Sequence, residues 1–358
     1  MTLFSPLSLG DLRLANRITM APMTRMRADE QGVPGALIAE HYAQRASLGL
    51  IVTEGVFPIQ ESKAYSGQPG IATADQIAGW KTVTDAVHAA GGTIVMQLMH
   101  GGRVTHTDIT GTERIVGPSA VAIQNEVNTP NGKQSFPVPH ALTLEELEQT
   151  KAVLVAGAEN AIEAGFDGIE VHSANGYLLH EFLSPASNVR DDQYGGSPEN
   201  RARFVIEVTT AIAEAIGAGR VGIRISPAHN IQDVWERDED DVRATYEALV
   251  DGISGLGLAY LSVVRADPTD ELIQDLRSRF GGNVIANSGF GTVTTREEAH
   301  SLVADGHAEA VAVGRLAISN PDLAERWQQG ADETAPDASS FYTPGAHGYT
   351  DYPTLSAS

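Results

Sequence analysis

The sequence predicts a (β/α)8 barrel, on three observations. Eight short apolar runs recur along the chain, each of strand length. Amphipathic stretches of helix length lie between them, the alternation that builds a parallel sheet covered by helices. Most of the runs are continuous in β-branched, Ala and Gly residues rather than alternating with polar ones, as expected when both faces of a strand are buried. A chain of 358 residues suits one closed barrel. An open doubly wound sheet is the structural alternative.

The elements read as follows. "RITMAPM" (17–23) is the first strand and "LGLIVTEG" (48–55) the second. A helix is expected over 73–90, then the strand "GTIVMQLM" at 92–99. The stretch 103–141 is too long and too rich in turn residues for an ordinary connection, and is expected to cap one end of the barrel. A helix over 142–165 ends in Gly165, the usual stop, before the strand "FDGIEVH" (166–172). "GGSPENRARF" opens another helix: Ser197 can cap it, Pro198 suits its first position and Glu199 complements its dipole. "RVGIRIS" (220–226), a helix over 240–257, "LAYLSVV" (258–264), "NVIANSG" (283–289) and "AEAVAVG" (308–314) complete the set. The tail from 331 is polar until "FYTPGAHGYTDYP", whose tyrosines predict that 331–358 docks back on the barrel. No linker appears, so residues 1–358 read as one domain.

Composition excludes several functions. Lys+Arg 24 against Asp+Glu 46 leaves a net charge of −22, which repels nucleic acid and anionic lipid. With no cysteine, the chain cannot build disulfides, thiolate metal sites, iron–sulfur clusters or a cysteine nucleophile. The N-terminus lacks the features of a signal peptide and no run approaches a membrane span, so a cytoplasmic protein is the expectation. The spaced glycines Gly217, Gly219 and Gly222 match G-x-G-x-x-G, but follow a helix and precede a strand, the reverse of a phosphate loop. Lys63, Lys81, Lys133 and Lys151 all fall in predicted loops or helices, which demotes Schiff-base chemistry. Glu54, Glu170 and His172 near strand ends leave a metal-assisted lyase open.

In barrels the C-terminal ends of the strands carry the chemistry. Those ends hold Pro22, Met23 and Thr24, then Gly55, then Gln97, Met99 and His100. The fourth supplies His172, Asn175 and Tyr177, and the fifth Arg224. Ser288 and Gly289 end the seventh strand, Gly314 and Arg315 the eighth, where a phosphate is commonly held. Arg224 interrupts an apolar strand, so it either pairs with Glu170 or faces an anion formed in turnover. Gln97 offers a donor and an acceptor to a planar imide, or is a satisfied core amide.

The stretches "ITMAPMTRMRA", "MQLMHGGR", "DGIEVHSANGYLLHEFLSPASNVRDDQYGGSPENRARF", "VGIRISP", "VAVGRLAISNPDL" and "GYTDYPTL" together resemble the Old Yellow Enzyme family of FMN-dependent ene-reductases, classical branch. The resemblance runs along nearly the whole chain. It implies noncovalent FMN at the barrel mouth, reduced by NADPH or NADH. Pro22, Met23, Thr24, Gly55, Gln97 and Arg224 would contact its ring system, and Ser288, Gly289, Gly314 and Arg315 its phosphate. His172 and Asn175 match the pair that binds a substrate's carbonyl or nitro oxygen, and Tyr177 the proton donor. Tyr65, Met99 and Tyr342 would line the substrate pocket. The implied partners are small electrophilic alkenes or nitro compounds, with monomer and homodimer both open.

Two departures matter. Met99 stands where many classical members carry tryptophan, so stereochemical preference does not transfer. Thr24 replaces the cysteine of the thermophilic-like branch. The absence of cysteine and the short C-terminus also argue against the larger iron–sulfur relatives. The rivals are a flavin-independent barrel lyase and an FMN-binding protein without significant turnover.

Overall fold

The computed structural model describes residues 1–355, and its centre is a closed barrel of eight parallel strands. In chain order they are β1 (Ile18–Met20), β2 (Leu50–Val56), β3 (Ile94–Leu98) and β4 (Gly168–Ser173), then β5 (Val221–Ile225), β6 (Tyr260–Val264), β7 (Val284–Asn287) and β8 (Ala310–Val313). Each pairs with the next, and β8 closes on β1 through Val311 opposite Ile18 and Val313 opposite Met20. All eight predicted strands are these eight, within a few residues.

A helix follows every strand: α1 (Ala36–Ala43), α2 (Ala74–Ala89), α3 (Leu144–Glu163), α4 (Pro198–Ile216), α5 (Glu239–Ser254), α6 (Glu271–Phe280), α7 (Arg296–Ala304) and α8 (Leu323–Gln329). Local chemistry sets their starts. Thr73 with Gln76, and Thr143 with Glu146, form reciprocal capping boxes. Ser197 Oγ accepts from the Asn200 amide at 3.3 Å, ahead of Pro198 in the first turn. In α5 the buried residues Val242, Tyr246, Leu249, Val250 and Ile253 repeat with helical spacing and pack inward. Burial of such a side chain stabilises by roughly 1.5–3 kcal/mol.

Parallel pairing alternates the side chains. Ile51, Ile94, Met96, Ile169, Val171, Ile223 and Leu261 belong to the layer between sheet and helices. Leu50, Val52, Val95, Tyr260, Ile285, Ala310 and Ala312 form a separate core inside the barrel. That inner core also takes Leu9, Leu12 and Leu14 from an N-terminal hairpin (Leu7–Leu9 with Leu12–Leu14). The hairpin plugs the barrel bottom, where Asp11 N donates to Gly219 O at 2.8 Å. It was not among the predicted elements. The alternation of Leu7, Leu9, Leu12 and Leu14 about the Gly10-Asp11 turn is its signal.

At the other end, the excursion after β3 folds into a short helix (Thr107–Thr110), a hairpin (Glu126–Thr129 with Gly132–Ser135) and a two-residue parallel pair, Val116–Gly117 with His140–Ala141. The tail returns to the loop after β1. Arg25 donates to Phe341 O at 3.1 Å and Gly348 O at 2.7 Å, and the Arg27 guanidinium lies 4.2 Å from the Tyr349 ring centroid. Tyr349 stacks on His41 of α1 at 3.9 Å between centroids. Among the described residues no helix is long and apolar enough to cross a membrane.

Candidate active site

The strand ends, the hairpin of the excursion and the tail enclose one cavity of about 680 Å³, within the usual range for a small-molecule or cofactor site. Most of the predicted residues line it. Pro22, Met23 and Thr24 come from the end of β1, Gly55 from β2, Gln97 and Met99 from β3, His172, Asn175 and Tyr177 from β4, and Arg224 from β5. Gly289, Gly314 and Arg315 lie at the β7 and β8 ends, and Tyr65 and Tyr342 at the mouth.

The β4 cluster sits on a sharp turn. Asn175 adopts φ +59° and Gly176 φ +85°, so the chain reverses at once into a short helix, Leu178–Leu183. A left-handed Asn is tolerated where a Cβ-branched residue would be strained. The Asn175 amide donates to Ser226 Oγ at 2.9 Å, which ties the turn to the end of β5. His172 is buried, and its Nδ1 has no partner among the described residues; the same holds for Asn175 Oδ1. Burial, with Arg224 and His180 nearby, holds the imidazole far below its ordinary pKa, so it is neutral near pH 7.

Tyr177 faces Tyr65, with their hydroxyls 2.7 Å apart. Burial raises both phenols above the ordinary tyrosine value, and their mutual proximity raises Tyr177 further. Both keep their protons at neutral pH, so a phenolic proton is available at the cavity wall.

Arg224 and Gln97 both line the cavity, and each also has partners inside the barrel. Arg224 donates to Ser262 Oγ at 3.3 Å and Asn287 Oδ1 at 3.4 Å, and its Nε has no partner among the described residues. It makes no close ion pair with Glu170. That carboxylate instead accepts from Gln97 Nε2 at 2.8 Å. A weakly satisfied guanidinium therefore faces the cavity, while Gln97 is anchored and still lines it. Glu54 is occupied elsewhere, with Oε2 accepting from the Arg25 and Met26 amides at 3.0 and 3.2 Å. Among the described residues no group of three His, Asp or Glu side chains could hold a metal.

Two expectations change in detail. Ser288 does not line the cavity: it is buried with its hydroxyl 3.3 Å from Thr294 Oγ1. It lies just beyond the end of β7, and its neighbours Asn287 and Gly289 line the cavity instead. Arg315 is exposed yet held over the site, donating to Phe290 O at 2.6 Å. Thr294, Ile231, Gln232, Val127 and Phe341 also line the cavity and were not foreseen. Val127 lies in the hairpin of the excursion and the others on loops, where neither periodicity nor charge marks them.

Residues 2–334 match the NADH:flavin oxidoreductase / NADH oxidase family. The chain belongs to this family.

It is an FMN-dependent NAD(P)H oxidoreductase of the Old Yellow Enzyme, ene-reductase type. It is 42% identical to a probable flavin mononucleotide-dependent alkene reductase of Leishmania infantum, over 98% of this chain and 97% of that protein. It is 38% identical to the rice 12-oxophytodienoate reductase 7, over 99% and 94% of the two chains. The structure of an Old Yellow Enzyme homologue from Zymomonas mobilis superposes with a TM-score of 0.93 at 36% identity, covering 99% of this chain and 100% of that one. Morphinone reductase in complex with tetrahydroNAD superposes with a TM-score of 0.92 at 41% identity, covering 99% and 98%.

The cavity fits FMN by the chemistry of its walls. At Gly55, which lines the cavity, an added Cβ would lie 2.6 Å from Met99 Sδ, so the glycine lets Met99 pack against the β2 end as part of the wall. Arg224 lines the same space with a guanidinium held only by long contacts to Ser262 and Asn287, and so suits a ring edge that gains negative charge on reduction. Gly289 and Gly314 beside Arg315 leave amides and a guanidinium for a phosphate.

Proposed function

We propose that this ene-reductase acts on small electron-poor alkenes conjugated to a carbonyl or nitro group, with His172 and Asn175 holding the oxygen and Tyr177 supplying the proton. The convergence of His172, Asn175 and Tyr177 on one cavity from a single turn carries this reading. His172 and Asn175 both line the cavity, where an imidazole N–H and a side-chain NH2 can donate to a ligand oxygen.

Pro22, Met23, Thr24, Gly55, Gln97 and Arg224 would hold the FMN ring, and Gly289, Gly314 and Arg315 its phosphate. When bound, FMN would supply the hydride-transfer chemistry between NAD(P)H and the alkene. The protein's part is to bind and polarise. Neutral His172 and the Asn175 amide donate to the substrate oxygen as negative charge develops there, a role in which loss of one donor costs roughly 3–4 kcal/mol in a protease. Tyr177 donates its proton to the carbon next to the activating group. Tyr65, 2.7 Å away, steadies the Tyr177 hydroxyl. Met99 is a flexible wall that shapes how the alkene lies.

The test is NAD(P)H oxidation by the purified yellow protein with and without an enone. Turnover that depends on the enone, with saturated ketone as product, is expected. Flavin reduction without enone consumption would overturn the reading.

A further inference from the structure

We propose that His180, Glu236 and Tyr246 act as positioning residues that set the gap between the substrate-binding turn after β4 and the loop after β5, and so decide which acceptors fit. The inference rests on the reading of His172, Asn175 and Tyr177 given above.

The geometry is specific. His180 is fully buried in the short helix that follows Tyr177. Its Nδ1 accepts from the Gly176 amide at 2.9 Å, inside the turn that presents Asn175 and Tyr177. That bond requires an unprotonated Nδ1, so the ring proton sits on Nε2. Nε2 points at Glu236 Oε1, 3.2 Å away. Tyr246 of α5 donates to the same carboxylate at 3.1 and 3.3 Å. Its second oxygen accepts from the Ala228 amide at 2.7 Å, and Glu236's own amide donates to Asn230 Oδ1 at 2.7 Å. The carboxylate thus closes the loop 228–236 on itself, and His180 joins that loop to the turn.

The loop needs such a tie. Ala228, Gln232 and Asp233 adopt φ of +54°, +58° and +55°, which non-glycine residues rarely do. Held in this form, it places Ile231 and Gln232 on the cavity wall. Contact with the turn is direct: a Cβ added to Gly176 would meet Gln232 Cβ at 2.6 Å. None of the three residues in the network lines the cavity. They act through the backbone at 176 and 228–236 and take no part in the proton transfer.

The two ring nitrogens can be tested separately in the FMN-loaded protein. His180→Asn keeps an acceptor near Nδ1, whereas His180→Gln keeps a donor near Nε2. The probe is para-chlorophenol, followed by the long-wavelength absorbance of its complex with the flavin. KM and kcat for a small and a bulky enone are measured alongside. His180→Gln, which loses the Gly176 contact, is expected to raise the phenol Kd about tenfold, the loss of one strong hydrogen bond. His180→Asn is expected to bind phenol near the wild-type level and to lose the KM ratio between the two enones. Wild-type phenol affinity and an unchanged KM ratio in both variants would overturn the proposal, whatever their melting temperatures. Should either variant fail to retain FMN, Tyr246→Phe, which removes one hydroxyl, decides by the same KM ratio. Failure of the wild-type protein to bind phenol would count against the assignment of His172 and Asn175 instead.

Discussion

Replacing Tyr177 with phenylalanine removes one hydroxyl and little else. The ring stays packed against His172, whose centroid lies 5.1 Å away, and against the edge of Tyr65. The structural loss is one hydrogen bond, the 2.7 Å contact to Tyr65, and costs about 0.5–1.5 kcal/mol. A positioned general acid contributes about 10²–10⁴ in rate, equivalent to about 3–5 kcal/mol at 1.36 kcal/mol per decade. Chemistry should therefore suffer far more than stability. Stopped-flow measurement separates the two halves of the cycle. Reduction of the bound flavin by NAD(P)H should stay within about threefold of wild type. Reoxidation by an enone should slow by at least about a hundredfold. Equal losses in the two halves would refute the proton-donor role, as would undiminished reoxidation.

Three further outcomes are expected. His172→Ala combined with Asn175→Ala removes both donors at the β4 turn and should weaken phenol binding by about a hundredfold or more, at roughly 1.5–3 kcal/mol per charge-assisted bond; unchanged affinity in a spectral titration would remove the assignment. Arg315→Ala should lower FMN retention on dialysis, and full occupancy would show that the guanidinium held over Phe290 is not a phosphate contact. Burial raises the Glu54 carboxyl from 4.5 to about 7, so the folded state holds its proton more tightly than the unfolded chain does. The stability it contributes is present below pH 4.5 and falls by about 3 kcal/mol as pH rises past 7. Glu54→Gln keeps an oxygen for the Arg25 and Met26 amides, so its urea midpoint between pH 5 and 8 should vary less than that of wild type; parallel pH profiles would contradict this.

The barrel was legible because its signals are local. Both-face burial makes Leu50–Val56 and Val221–Ile225 largely apolar runs, and Thr73, Thr143 and Ser197 cap the helices that start beside them. Site residues at strand ends were legible for the same reason, since position along a strand fixes the end and Arg224 stands out against its neighbours. Direction just beyond a strand's end was not: Ser288 turns to Thr294, while Asn287, the last strand residue, lines the cavity. Loop contributions were hidden. Ile231, Gln232 and Phe341 reach the site through conformations set by partners far away in sequence, such as Arg25 reaching Phe341 O and Arg103 reaching Gln232 O. Local pattern carries no trace of such pairings.

The tail has a consequence for how the holoenzyme is made. Phe341 and Tyr342 wall the cavity, and Gly348 anchors the loop that follows the first strand. A ribosome releases all eight strands before it releases these residues. The nascent chain can thus close its barrel while the cofactor chamber still lacks a side, so a complete FMN site requires residues 341–348 to have emerged as well.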